Sequence, residues 1–124
     1  MSKSVFLHIL LSILLSSVAQ IVLKAGMSNP AVTQSLHSGL DSLFVRNVAS
    51  NGYVWLGLGL YFASAVVWLL VLARLEVSLA YPFVGLGFFI TMLLGWLVHG
   101  DAISATRILG TLLIAGGVVL LARG

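Results

Sequence analysis

Four stretches of this chain stay apolar for about as long as a bilayer is thick, and no other feature limits its fold so strongly. They cover residues 5–26, 53–73, 79–98 and 105–122. At 1.5 Å per helical residue, a membrane crossing takes roughly 20 apolar residues. The fourth stretch is the shortest. Its strictly apolar part starts at Ile108, and it matches a thin membrane by beginning at Ala105. None of the runs alternates apolar with polar residues as a membrane strand would. In lipid, backbone N–H and C=O groups must find partners within the protein, which leaves helices or closed barrels. The expected fold is an all-α membrane protein, a single domain over residues 1–124 with four transmembrane helices.

Composition excludes the water-soluble alternative. Charged residues make up 7% of the chain and hydrophobic ones 60%, against about 25% charged in a soluble domain. The mean hydropathy is +1.18. The first run follows Lys3 and superficially resembles a signal peptide. A signal core spans only about 7–15 apolar residues before a small-residue cleavage site, so a retained helix is expected here. The chain has no cysteine, which excludes disulfides and thiolate metal sites.

The connections differ in kind. Residues 75–78 and 99–106 are tight links, so the helices they join must be antiparallel neighbours. The first connection, residues 27–52, is long and polar. Within it Val32, Leu36, Leu40, Leu43, Phe44 and Val48 recur at three- and four-residue steps, one face of a helix. Asn29 before Pro30 is a helix start signal. A short amphipathic helix over about 30–48, lying at the interface, is expected.

The six basic residues flank the apolar runs: Lys3, Arg74 and Arg123 on the side of the termini, and Lys24, Arg46 and Arg107 on the other. The tally is even, so the positive-inside rule sets no orientation. Discounting Lys24, which lies within the first helix, tips the termini toward the cytoplasm. No basic cluster exists, so nucleic acid is not an expected partner. His8, His37 and His99 lie on separate segments without ligand spacing, and neither a metal nor a cofactor is expected. No phosphate-binding glycine loop or nucleophile elbow is present, which argues against an enzyme.

Polar groups inside apolar helices are costly, so each is a candidate site. Ser12, Ser16, Gln20 and Lys24 recur every four residues on the first helix, one face of it. That face reads either as a substrate lining or as hydrogen-bonded glue between helices. No carboxylate lies in mid-helix: Asp41, Glu76 and Asp101 all fall at connections. A cation carried through a low-dielectric site needs a buried counter-charge, whereas Lys24 suits an anionic group such as phosphate. Tyr81 and Pro82 open the third helix, with Gly85 and Gly87 just beyond, a candidate hinge or a close packing surface. Gly110 and Gly117 share a face of the fourth helix, suited to contact within or between chains. Trp55, Trp68, Trp96 and Tyr53 read as interface anchors.

Four helices in this length, Ala80-Tyr81-Pro82 at the start of helix three, and the paired glycines Gly110 and Gly117 in helix four resemble the small multidrug resistance branch of the drug/metabolite transporter superfamily. The resemblance covers nearly the whole chain apart from residues 27–52. In the exporters of that branch a Glu in mid-helix one binds proton and drug. Ser16 and Ser17 occupy that place here. The chain is more similar to the paired subunits that flip aminoarabinose-phosphoundecaprenol across the bacterial inner membrane. It shares with them Gln20 and Lys24 four apart, the Ala-Tyr-Pro opening and the acidic Asp101 before the last helix. The resemblance implies a polyprenyl-phosphate-linked sugar or aminosugar as substrate. It implies contacts from Ser16, Gln20, Lys24, Tyr81 and Asp101, with Lys24 at the phosphate and Gln20 at the head group. It further implies a homo- or heterodimer packed through Gly110 and Gly117 among membrane lipids, while the candidate hinge at Pro82, Gly85 and Gly87 rests on the residues themselves. A small-molecule exporter of the same superfamily and a non-transporting membrane scaffold are the alternative expectations.

Overall fold

The structure, a computed structural model, describes residues 2–124 and is helical throughout, with no strand among the described residues. Four helices are long and apolar enough to cross a membrane. Helix α1 spans Lys3–Met27, about 37 Å at 1.5 Å per residue. Ser2 caps its start by accepting from the Val5 amide at 3.2 Å. In lipid, a cap satisfies amides that nothing else would reach.

The first connection is helical, but in two pieces. Helix α2 spans Pro30–His37, with Asn29 accepting from the Ala31 amide and Pro30 in the first turn. Helix α3 spans Ser42–Ala49, with the Asp41 carboxylate accepting from Leu43 and Phe44. Gly39 between them has φ 107°. A left-handed residue cannot sit inside an α-helix, and a fresh cap two residues later restarts it. The apolar periodicity of 30–48 therefore runs across a break that it cannot reveal. Leu36, Leu40, Leu43 and Val45 stay exposed on this pair, as expected of helices resting in the interface.

Helix α4 spans Gly52–Leu72. Its cap, Asn51, also ties two helix ends together. Its Oδ1 accepts from the Tyr53 and Val54 amides, while its Nδ2 donates to the Gly26 carbonyl at 2.7 Å. The third membrane crossing is interrupted. Helix α5 spans Val77–Ala80, a 3-10 turn covers Tyr81–Phe83, and helix α6 spans Val84–His99. Pro82 lacks an amide hydrogen and so removes one α-helical bond. The helix begins one turn before Pro82, so the residue falls inside the crossing. Gly100 at φ 67° ends α6, with the Asp101 amide donating back to the Gly95 carbonyl at 3.2 Å. Helix α7 spans Ala105–Arg123 and is capped by Ser104.

The crossings stand side by side in the order α4, α1, α6, α7. Helix α1 packs along α4 and α6, α7 rests on α6, and the outer two share no substantial contact. Two close approaches set these seams. A Cβ at Gly57 would come within 2.6 Å of the Leu23 side chain, and one at Gly85 within 2.6 Å of Ile114. Glycine there lets the backbones meet.

The packing is uneven along the membrane normal. The core consists of Val5, Ile9, Ile13, Val71, Ala80, Phe83 and Val118. All of these come from the ends of their helices on the side of the termini. Trp68 packs against this core instead of anchoring at the interface. Toward the other face α1 stays tied to α4 through Asn51 and Gly26 and to α6 through His99 and Ile21, while α7 makes no substantial contact with α1. The remaining large apolar side chains, such as Phe62 at 72% and Leu120 at 73% exposure, point outward, which suits lipid as the surrounding solvent.

Gly57→Val should lower stability in detergent by about 1–3 kcal/mol, because the added methyls overpack the α1–α4 seam. Gly59→Val, where nothing lies within 4 Å, should stay within about 0.5 kcal/mol. Thermal unfolding of the two variants beside the wild type checks the contrast.

Candidate functional site

Between α1, α6 and the start of α7 lies a cavity of about 440 Å³. Helix α1 contributes Ser16, Ser17 and Gln20. Helix α4 contributes Tyr61. Val84, Gly87, Phe88, Thr91 and Met92 come from α6, and Asp101, Ala102 and Arg107 from the connection and first turn before and within α7. The core residues Ile13 and Phe83 lie beside its deep end, so it is closed toward the termini. It opens at the membrane face that carries Asp101 and Arg107. Because α4 and α7 do not meet, its long side is uncovered as well. The walls are graded: Phe88, Met92 and Val84 are apolar, Thr91 and Ser16 are hydroxylic, and the mouth carries one acid, one base and the Gln20 amide.

The four-residue polar pattern on α1 divides between two jobs. Four residues turn an α-helix by about 400°, so the pattern drifts about 40° at each step and about 120° from Ser12 to Lys24. Ser12 therefore faces α4, not the cavity. Its hydroxyl donates to the Ser64 carbonyl at 3.0 Å, and the Ser64 hydroxyl donates to the Ser12 carbonyl at 2.9 Å. Both residues are buried. This reciprocal clasp joins α1 to α4 without exposing a polar atom to lipid. Ser17 does the same toward α6, donating to the Gly87 carbonyl at 3.4 Å. Ser16 uses its hydrogen on its own helix, at the Ile13 carbonyl, and keeps its lone pairs toward the cavity. Gln20 is exposed within the cavity with its amide free to donate and accept.

The structure thus brings Ser16, Gln20 and Asp101 together and leaves two candidates outside. Lys24 lies one turn beyond Gln20, exposed at the membrane edge. Tyr81 is 66% exposed in the 3-10 turn at the opposite face. Of the hinge candidates, Gly85 and Gly87 hold close contacts with Ile114, Ile13 and Ser17, while Pro82 sits at the helical interruption. Gly110 and Gly117 have nothing within 4 Å of a Cβ position, so their face of α7 is unpartnered within the chain.

Arg107 belongs to the site although its position in the sequence suggested only a membrane-edge charge. It sits in the first turn of α7, where the Ser104 cap accepts from its amide, and its Nη1 donates to the Ala102 carbonyl at 2.6 Å. The signal for it was the Ser104-Ala-Thr-Arg107 start of a helix directly after Asp101. Gly95 serves Asp101 in turn. A methyl group at Gly95 would collide with the Asp101 carboxylate, so the missing side chain seats the acid against α6. His99 Nε2 lies 3.0 Å from the Ile21 carbonyl and links the mouth end of α6 to α1.

The absence of native cysteine makes the cavity easy to map. Single cysteines replacing Gln20 or Thr91 should react with a membrane-impermeant maleimide, and cysteines replacing Leu10 or Phe62 on lipid-facing surfaces should not. Equal labelling at all four positions would contradict a water-filled mouth.

Comparison with known proteins gives a consistent set of relatives. A protein of Pseudomonas fluorescens strain Pf0-1, "Probable 4-amino-4-deoxy-L-arabinose-phosphoundecaprenol flippase subunit ArnE", is 35% identical over 115 residues, 93% of this chain and 94% of its own length. Proteins of the same description from Pseudomonas aeruginosa strain UCBPP-PA14 and Salmonella paratyphi B are 36% and 39% identical, over 63% and 55% of this chain and 75% and 63% of their own lengths. No family model matches the chain, and no solved structure matches it.

Proposed function

The chain belongs to the family of ArnE-type flippase subunits, and from that premise we propose that it carries a polyprenyl-phosphate-linked aminosugar across the bacterial inner membrane. The observation that carries the reading is the mixed cavity: Asp101, Arg107 and Gln20 at one membrane face, hydroxyl groups beside apolar walls at mid-depth, and no substantial α4–α7 contact to cover its side. An undecaprenyl phosphate sugar has the same division. Its head group is small and polar, while its tail is far too long for 440 Å³ and must remain in lipid. A laterally uncovered cavity admits the head and leaves the tail outside.

Gln20 and Ser16 supply donors and acceptors for sugar hydroxyls at mid-depth, and Asp101 supplies charge at the mouth. These groups replace part of the water that the head group gives up on leaving the interface, which is the main barrier to crossing hydrocarbon. Lys24, exposed at the membrane edge beyond Gln20 and outside the cavity, is suited to snorkelling to the interface. Tyr81, on the opposite edge, is suited to anchoring the chain at the interface. Transport requires no covalent chemistry of the chain itself.

One chain leaves the cavity half walled. A second subunit covers the face between α4 and α7, and the open glycine face of α7 at Gly110 and Gly117 gives it a surface for close helix approach. In this arrangement the tight core on the side of the termini is the closed gate, and the interruption at Pro82 is the place where α6 tilts to open it. Breaks of this kind concentrate bending because a helical bond is already missing.

Inverted membrane vesicles from cells with and without the chain test the proposal. Aminoarabinose-phosphoundecaprenol added to the accessible leaflet should become protected from a membrane-impermeant amine reagent only when the chain is present. Gln20→Leu should slow protection about tenfold, the loss of a hydrogen bond or two in a poorly hydrated site. Protection at the same rate in vesicles that lack the chain would refute a flippase role.

A further inference from the structure

The mouth of the cavity carries two opposite charges, Asp101 and Arg107. The structure does not use them to neutralise each other. Among the described residues they form no ion pair. The guanidinium is turned to the Ala102 carbonyl, which occupies one of its five N–H donors. The carboxylate is seated against α6 in the space that Gly95 leaves. Both therefore keep hydrogen-bonding capacity directed at whatever enters. Arg107 also stands in the first turn of a 19-residue helix, whose free amide ends add positive potential at the same spot.

We infer that this pair makes the site selective for a zwitterionic head group: Arg107 takes the phosphate and Asp101 takes the sugar ammonium. The inference rests on the flippase reading, whose substrate class has a phosphodiester and an amine a few bonds apart on one small sugar. An anion alone would leave Asp101 repelling it. A neutral sugar phosphate would offer the carboxylate only uncharged hydroxyl donors, without the charge-assisted bond of an ammonium. Only a head group with both charges satisfies both residues, so discrimination comes from the partner left unmatched as much as from the one engaged. The assignment moves the phosphate contact from Lys24, outside the cavity, to Arg107, which lines it. Gly95 becomes a positioning residue, holding Asp101 at the distance from Arg107 that the ligand must span.

The test is binding of three lipids to the purified full chain by native mass spectrometry: aminoarabinose-phosphoundecaprenol, its N-acetylated form, and undecaprenyl phosphate, each against phosphatidylglycerol. The wild type should prefer the free amine over the N-acetylated form by about tenfold, the scale of one charge-assisted hydrogen bond. Asp101→Asn should erase that preference while undecaprenyl phosphate still binds, and Asp101→Glu should restore part of it. Gly95→Ala should reduce the preference without changing undecaprenyl phosphate binding. Arg107→Gln should weaken all three lipids about tenfold, with Arg107→Lys intermediate, and Lys24→Ala should leave them within about twofold. Retention of the amine preference in Asp101→Asn overturns the assignment of the acid. Unchanged binding in Arg107→Gln, or its loss in Lys24→Ala, overturns that of the base. Wild-type binding of the undecaprenyl lipids without amine preference overturns the charge-pair inference and spares the flippase reading. No preference for any of them over phosphatidylglycerol overturns both.

Discussion

Helix α1 must carry polar groups through a solvent that offers them no hydrogen bonds, and the rest of the bundle is arranged around that constraint. Three of its serines and one glutamine lie at depths where lipid would leave them unsatisfied. Ser12 is answered by Ser64 on α4, and Ser17 by the Gly87 carbonyl on α6. These two links point in different directions and hold α1 between α4 and α6. Helix α7 receives no such bond from α1 and ends at the periphery, resting on α6.

The same arrangement accounts for the cavity. Apolar side chains fill the bundle near the termini, where Val5, Ile9 and Ile13 of α1 meet Val71, Phe83 and Val118. Ser12, Ser16 and Ser17 follow along the same helix, and beyond them α1 and α7 make no substantial contact, which leaves a space between them. Without a hydrophobic drive to close the gap in lipid, the space persists and is lined by the polar face that made it. The molecule is packed tightly at the end of the termini and carries its cavity toward the other face. The interruption at Pro82 lies beside this tightly packed end, next to the core residues Ala80 and Phe83.

Much of this was legible in the sequence. The four crossings follow from run length alone, because the bilayer fixes how long an apolar helix must be. The helical first connection followed from its periodicity and from the Asn29-Pro30 start. Its division at Gly39 did not, since a single left-handed residue leaves the apolar spacing on either side intact. The site was half visible. Ser16, Gln20 and Asp101 drew notice as polar groups in apolar surroundings and converge on one cavity. Lys24 was grouped with them by a spacing of four, which drifts around a helix and over three steps carries a residue to a different surface. Arg107 was missed for the opposite reason. A basic residue beside a membrane segment has an ordinary explanation in interface anchoring, and only the fold of residues 100–104 brings this one onto the same cavity as Asp101 and Gln20. Tyr61 and Met92 gave no signal, being apolar or aromatic residues within apolar helices.

Occupancy of the face of α1 and α6 by the lipid-linked substrate is read directly by site-directed photocrosslinking. A photoreactive amino acid placed at Phe88, on the cavity wall, should form adducts with labelled undecaprenyl-phosphate lipid in membranes, and excess unlabelled lipid should compete them away. The same group at Phe62, on the outward surface of α4, should give only the background expected of any lipid-facing position. Equal, non-competable labelling at both positions would contradict a substrate-binding cavity.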